Sequence, residues 1–139
     1  MQWLERDATR EIDSPDINKI RKAGYRILHD LRAPVQRPNG PPVGALRIRV
    51  LLGDVLVGWV SFERRGEWLS ADTETGVDPG HQRRGICTAM YVYAEKLTGC
   101  TIADEPMGRS EAGNAFWAQS NRPFGPQGEQ RGPRIDPNA

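Results

Sequence analysis

Apolar residues recur along this chain with two different periods. Ile86, Ala89, Met90, Tyr93, Ala94 and Leu97 follow the spacing of one helix face. They predict a helix from about Gly85 to Leu97, ended by Gly99, which accepts positive φ at little cost. Ile17, Ile20, Gly24, Ile27, Leu28 and Leu31 repeat the helical period earlier in the chain. They follow Asp13-Ser14-Pro15, a capping side chain with an early helical proline, and predict a first helix running through Leu31. Ser110 is placed to cap a further helix through about Gln119, with Ala112, Ala115, Phe116 and Gln119 near one side.

The other period is two. Ala45–Leu52, Val55–Glu63 and Trp68–Val77 read as strands of an antiparallel meander, separated by turns at Gly53-Asp54 and Arg64-Arg65-Gly66-Glu67. The run Val55–Phe62 is apolar on both faces, which suits a central strand covered by helices on both sides. Gln2–Arg6 and Cys100–Ala103 are short strand candidates. Ala33–Gly44 holds Pro34, Pro38, Pro41 and Pro42, so neither helix nor central strand is expected there. From Asn121 onward proline and glycine dominate and little can be buried. The chain therefore divides into a folded domain over 1–125 and a Pro/Gly-rich tail over 126–139.

Composition narrows the function. The 139 residues suffice for one domain with a core, and 19 Lys+Arg against 18 Asp+Glu leave a net charge of +1. A broad electrostatic grip on nucleic acid is not expected, although a local patch would escape this sum. No apolar run approaches the roughly 20 residues of a membrane span, and the charged start Met1–Asp7 is unlike a signal peptide. Cys87 and Cys100 lack metal-type spacing, so a reducing cytoplasm without a zinc site is the expectation. The first helix is basic on its remaining surface through Lys19, Arg21, Lys22, Arg26 and Arg32, a pattern usual for a solvated face.

The stretch Val77-Asp78-Pro79-Gly80-His81-Gln82-Arg83-Arg84-Gly85-Ile86-Cys87 carries the most specific chemistry. It joins a predicted strand to the best predicted helix. A glycine loop in that position gathers unpaired backbone N–H groups at the positive end of a helix dipole, where phosphate binds. Gln82, Arg83 and Arg84 add donors and charge. The alternative is an ordinary strand-to-helix turn with solvated arginines. The spacing Gln82-x-x-Gly85-x-Cys87, after Val77-x-Pro79 and before a long helix, resembles the pyrophosphate loop of the GNAT superfamily of acetyl-CoA-dependent N-acetyltransferases. The order strand, helix, long loop, three-strand meander, loop, helix, strand, helix resembles that family over about residues 1–125, most specifically over Val55–Leu97. Two strands usual at the end of the family are reduced here to Arg122-Pro123-Phe124-Gly125. A dimer partner or the tail would then cover the sheet edge.

The resemblance implies an α/β fold with a mixed, mainly antiparallel central sheet flanked by helices, and acetyl-CoA as cofactor. It places the cofactor arm between the strand Trp68–Val77 and Cys100–Ala103, held by Val77, Gln82, Arg83, Arg84, Gly85, Ile86 and Cys87, with Asn114 and Trp117 on the late helix. A backbone N–H near Gly76 or Val77 would polarise the thioester carbonyl. Transfer to an amine also needs a base, for which Glu74, Asp72 and Glu63 are the candidates, Glu74 first because it is nearest the loop. The same carboxylates also suit a merely solvated strand face. Trp117 stands where the family often has an acid tyrosine, and indole N–H does not release a proton at neutral pH. Water, Ser110, Tyr91 or Tyr93 would have to serve instead. Cys87, where the family prefers Gly or Ala, is either activated by the helix terminus or packed as a small hydrophobe, and the packed reading is preferred. The expected function is direct acetyl transfer to a small-molecule or protein amine. Asp72, Glu74 and Glu105 favour a cationic acceptor, whereas the basic first helix favours an anionic partner. The rivals are a non-catalytic acyl-CoA-binding module and an interaction or inhibitor protein on the same scaffold.

Overall fold

Three long antiparallel strands, β1 (Tyr25–Arg37), β2 (Gly40–Leu52) and β3 (Val55–Arg65), form the frame of the molecule. A computed structural model describes residues 12–37, 40–71, 75–105, 111–119 and 121–126, with backbone alone for 32–44. The strand expected at Gln2–Arg6 and nearly all of the tail lie outside these residues. The frame is preceded by α1 (Pro15–Lys22) and followed by β4 (Trp68–Ala71), β5 (Gly76–Val77), α2 (Ile86–Thr98), β6 (Thr101–Ile102) and α3 (Glu111–Trp117). The sheet runs β1-β2-β3-β4-β6, with β5 also paired to β3. All pairings are antiparallel except β4 with β6. This is a mixed α/β architecture with a mainly antiparallel sheet flanked by helices.

One face of the frame holds the core. Leu46, Ile48 and Val50 of β2 stand opposite Phe62, Val60 and Gly58 of β3 in register, and all are buried. A Cβ at Gly58 would come within 2.8 Å of Ile86 Cγ2, so glycine lets the start of α2 lie directly on β3. Helix α2 is buried nearly all round, through Ile86, Ala89, Met90, Tyr91, Val92, Tyr93, Ala94, Leu97 and Thr98. Its predicted range holds to within a residue, and Gly99 closes it at φ 73°. Glu95 Oε2 accepts the N–H groups of Ile102 and Gly125, each at 2.8 Å, and so ties β6 and the 121–126 segment to α2.

Four expectations are corrected. The first helix stops at Lys22, because Gly24 takes φ 97° and redirects the chain. Residues 25–31 also fit a period of two, and pairing with the long β2 selects the strand. Pro34 is accommodated in an edge strand and Pro41 and Pro42 at the start of its partner, with register shifts at Arg32/Val35 and Val35/Arg37, while Pro38 lies outside the described residues. Among the described residues no helix lies on the outer face of β1–β3, against the expectation of helices on both sides of β3. That face carries Asp30 paired to Arg47 at 3.0 Å and Arg49 at 3.1 Å, with these side chains about 40% exposed. Finally, Trp68–Val77 is two strands rather than one. Phe62 pairs with Ala71 but Trp59 with Gly76, so the later strand gains residues relative to β3 between these pairs.

Candidate active-site cleft

That change of register opens the sheet. Strand β6 runs parallel beside β4, Trp68 opposite Thr101 and Leu69 opposite Ile102, and Ala103 N–H still donates to Leu69 O at 2.8 Å. Strand β5 pairs with β3 only. A cleft of about 910 Å³ lies where the strands part. Its walls are Ala71, Thr75, Gly76 and Val77 on one side, Ala103 and Glu105 on another, the loop and start of α2, and α3.

The orientation of β5 follows from its hydrogen bonds. Asp78 N–H donates to Val57 O at 2.8 Å. In an extended chain successive residues alternate direction, so the N–H and C=O of Val77 turn away from β3. Gln82 Nε2 reaches that carbonyl at 3.1 Å. The Val77 N–H thus faces the cleft. Gly76 is required by a close approach: a Cβ there would overlap the Trp59 indole, 2.7 Å from Cε2.

After β5 the chain makes one 3-10 turn, Pro79–His81, and reaches the α2 N-cap. Arg83 at φ 64° and Gly85 at φ 84° set the loop. Gly85 offers no side-chain cap, and the first turn of α2 contains no acid. Ala89 N–H is the first to bond within the helix, to Gly85 O at 2.9 Å. The N–H groups of Ile86, Cys87 and Thr88 have no intrahelical partner, and their residues line the cleft together with His81, Gln82, Arg83 and Gly85.

Two neighbours of the loop were not readable from sequence. The Lys19 ammonium of α1 approaches Gly85, 3.5 Å from where its Cβ would stand. Tyr25 Oη meets His81 Nδ1 at 2.8 Å and receives a hydrogen bond from Arg84 Nη1 at 3.2 Å. Arg84 therefore braces the loop from behind and is absent from the cleft wall. A single helix through Leu31 would leave Lys19 in mid-helix and Tyr25 on a helix face, whereas the break at Gly24 puts Lys19 in the last turn of α1 and Tyr25 at the start of β1.

The opposite end of the cleft is aromatic and acidic. Tyr91 follows Cys87 by one helical turn, on a second face of α2 that the apolar periodicity did not mark. Its ring packs against Phe62, Phe116, Trp117 and Phe124. Ala112, Ala115, Phe116, Trp117 and Gln119 line the cleft, while Asn114 is exposed on the same helix and does not. Glu105 accepts a hydrogen bond from Ser70 Oγ at 2.7 Å at the cleft edge. Glu63 instead pairs with Arg65 at 3.2 Å, away from the cleft. Asp72, Glu74 and Ser110 lie outside the described residues. Tyr93 bonds His29 Nδ1 at 2.6 Å and does not line the cleft.

Burial decides the state of Cys87. It pushes the thiol up to about 12, which matches a packed residue rather than an activated one. Among the described residues no three His, Cys, Asp or Glu side chains gather as metal ligands, and no helix is long and apolar enough to cross a membrane. Arg122-Pro123-Phe124-Gly125 forms bends rather than a strand, with Phe124 stacked on Phe116 at 4.6 Å between centroids. No protein-family model matches the chain, and neither a curated protein nor a solved structure matches it.

Proposed function

We propose that the chain is an acetyl-CoA-dependent N-acetyltransferase of GNAT type, transferring acetyl directly from the thioester to an amine. One observation carries this reading: the uncapped N-terminus of α2, ringed by Gln82, Arg83 and Lys19, opens into the same cleft that the Val77 N–H faces. A phosphate site and an oxyanion donor thus share one cavity. Its volume lies near the top of the roughly 300–1,000 Å³ range of ligand pockets, which suits a long ligand.

The residues fit coenzyme A in chemistry as well as space. The N–H groups of Ile86, Cys87 and Thr88 would take the pyrophosphate oxygens, with Arg83 and Lys19 balancing the charge. The edge of β5 would pair with the amide-bearing arm as an added strand does. Val77 N–H would then hydrogen-bond the thioester oxygen as negative charge develops on it. Glu105, at the far end, suits a cationic amine and would hold it beside the carbonyl. The amine must lose a proton to attack, for which Glu105 stands at the cleft edge, while Asp72 and Glu74 are the bases that the family resemblance implies.

The test is thiol release from acetyl-CoA with a panel of primary amines, small cationic ones first. Acetylated amine and free thiol in equal amounts are the expected result. Cofactor binding without turnover on any amine would favour a non-catalytic acyl-CoA module, the reading that Trp117 at the acid position suggests. Absence of binding by the folded protein would leave an interaction scaffold.

A further inference from the structure

We propose that His81 donates a hydrogen bond from its Nε2–H to the phosphates held at the α2 terminus, and that Tyr25 is the positioning residue that keeps the imidazole proton on that nitrogen. The assignment rests on the acetyl-CoA reading above and adds two residues to it.

A chain of contacts reaches the imidazole from the interior. The Arg84 guanidinium has donors only, so its Nη1 donates to Tyr25 Oη, at 3.2 Å. Tyr25 Oη in turn meets His81 Nδ1 at 2.8 Å. Two proton arrangements match these distances. In the first, the Tyr25 hydroxyl donates to a bare Nδ1, and the neutral ring carries its proton on Nε2. In the second, Nδ1–H donates to Tyr25, whose oxygen then accepts twice. Its own proton would be left over, because Tyr25 Oη has no third polar contact among the described residues. Tyr25 is only 3% exposed, and a buried donor without a partner is costly. The first arrangement is therefore selected, since the bond made by one ring nitrogen fixes the proton on the other.

The two nitrogens stand on opposite sides of the ring, so Nδ1 turned to Tyr25 turns Nε2 away from it. Tyr25 is absent from the cleft wall, whereas His81 is half-buried and lines it. The Nε2–H thus faces the cleft. The ring is also fixed in place. It meets the Tyr25 ring edge to face, with centroids 5.7 Å apart, and the His81 backbone N–H donates to Asp78 O at 2.8 Å. His81 shares this part of the wall with Gln82, Arg83, Gly85 and Ile86. A phosphate oxygen offers lone pairs alone. It attracts an Nε2–H and repels the bare Nε2 of the other tautomer. Tyr25 therefore decides whether His81 helps or opposes the ligand.

Heteronuclear NMR of the imidazole nitrogens tests this, with coenzyme A as the titrant. The chain has two histidines, and His81→Gln identifies the signals of His81. The expected spectrum of the neutral ring shows a bare Nδ1 and a protonated Nε2, and coenzyme A shifts the Nε2 signal. Tyr25→Phe keeps the ring but removes the hydroxyl. It should mix the tautomers and weaken coenzyme A roughly tenfold in calorimetry, as loss of a hydrogen bond to a charged group does. His81→Leu should lose as much, whereas His81→Gln, with an amide N–H at similar reach, keeps the affinity. A protonated Nδ1 in the wild-type protein overturns the assignment even if Tyr25→Phe does not fold. Coenzyme A that binds without moving Nε2, and binds His81→Leu equally well, overturns the role of His81 and leaves the cofactor reading intact. Wild-type protein that binds no coenzyme A overturns that reading, and His81 with it.

Discussion

The two long-range helices of this molecule begin in opposite ways. Helix α1 is closed by its own chain: Ser14 Oγ accepts from Ile17 N–H at 3.2 Å, Pro15 opens the helix, and Asp16 meets the dipole. Helix α2 begins at a left-handed glycine with no cap and no acid in its first turn, and basic side chains stand around it. Capping stabilises a helix by about 1 kcal/mol, so leaving α2 uncapped forgoes stability at one site. No side chain caps the donors of α2, whereas α1 meets its first turn with the Ser14 hydroxyl and an N-terminal proline. On the proposed function, the difference separates a terminus built for folding from one built for binding.

The sharpest way to break the comparison is to fill the second terminus with negative charge. Arg84→Glu with Gly85→Glu should lower coenzyme A affinity by roughly 100-fold or more, because juxtaposed like charges cost several kcal/mol. Titration calorimetry reads the affinity, and circular dichroism checks that the fold persists. Unchanged affinity in a folded double variant contradicts the assignment of the loop.

Arg83 sharpens it next. A non-glycine residue at φ 64° carries strain of about 1 kcal/mol or more. Arg83→Gly should therefore raise stability by about 1 kcal/mol. It should also weaken coenzyme A roughly tenfold by removing one charge-assisted hydrogen bond. A variant that is both more stable and equally tight in binding would show that the strain serves no ligand. The mirror experiment lies on α1. Ser14→Ala should cost about 1 kcal/mol in chemical denaturation with coenzyme A affinity unchanged.

The smallest effect concerns pH. His29 sits against Tyr93 Oη, and burial lowers its pKa below the ordinary 6.5, with Asp30 opposing. The unfolded chain therefore takes up the proton first as pH falls. Stability from this group is full above about 6.5 and declines as pH drops from there through the lower folded value. His29→Gln should flatten that decline in denaturation midpoints measured from pH 7 to 5. An equally steep decline in the variant assigns it to other groups.

Sequence made α2 and the loop before it readable, because a full helical period and a glycine punctuate the same place. The meander was equally plain in Gly53-Asp54 and Gly66-Glu67. The residues of 25–31 were not, since Ile27, Leu28 and Leu31 fit a helix and Tyr25, Ile27, His29 and Leu31 fit a strand. Only pairing to β2 decides between them. The site was legible where backbone chemistry dominates, at Val77 and Gly85–Cys87. It was illegible where distant segments meet, at Lys19, at Tyr25 with His81, and at Ser70 with Glu105. Tyr91 was named among the alternative acids, but its place in the core and on the cleft wall was not legible, because α2 is buried on two faces and one apolar stripe marks only one of them.

The most direct measurement is calorimetric titration of the folded protein with acetyl-CoA and with free coenzyme A. Micromolar binding of both, lost on Arg84→Glu with Gly85→Glu, is the predicted result. No heat of binding from a well-folded sample would contradict the account at its centre, because the open terminus of α2 would then have no phosphate to hold.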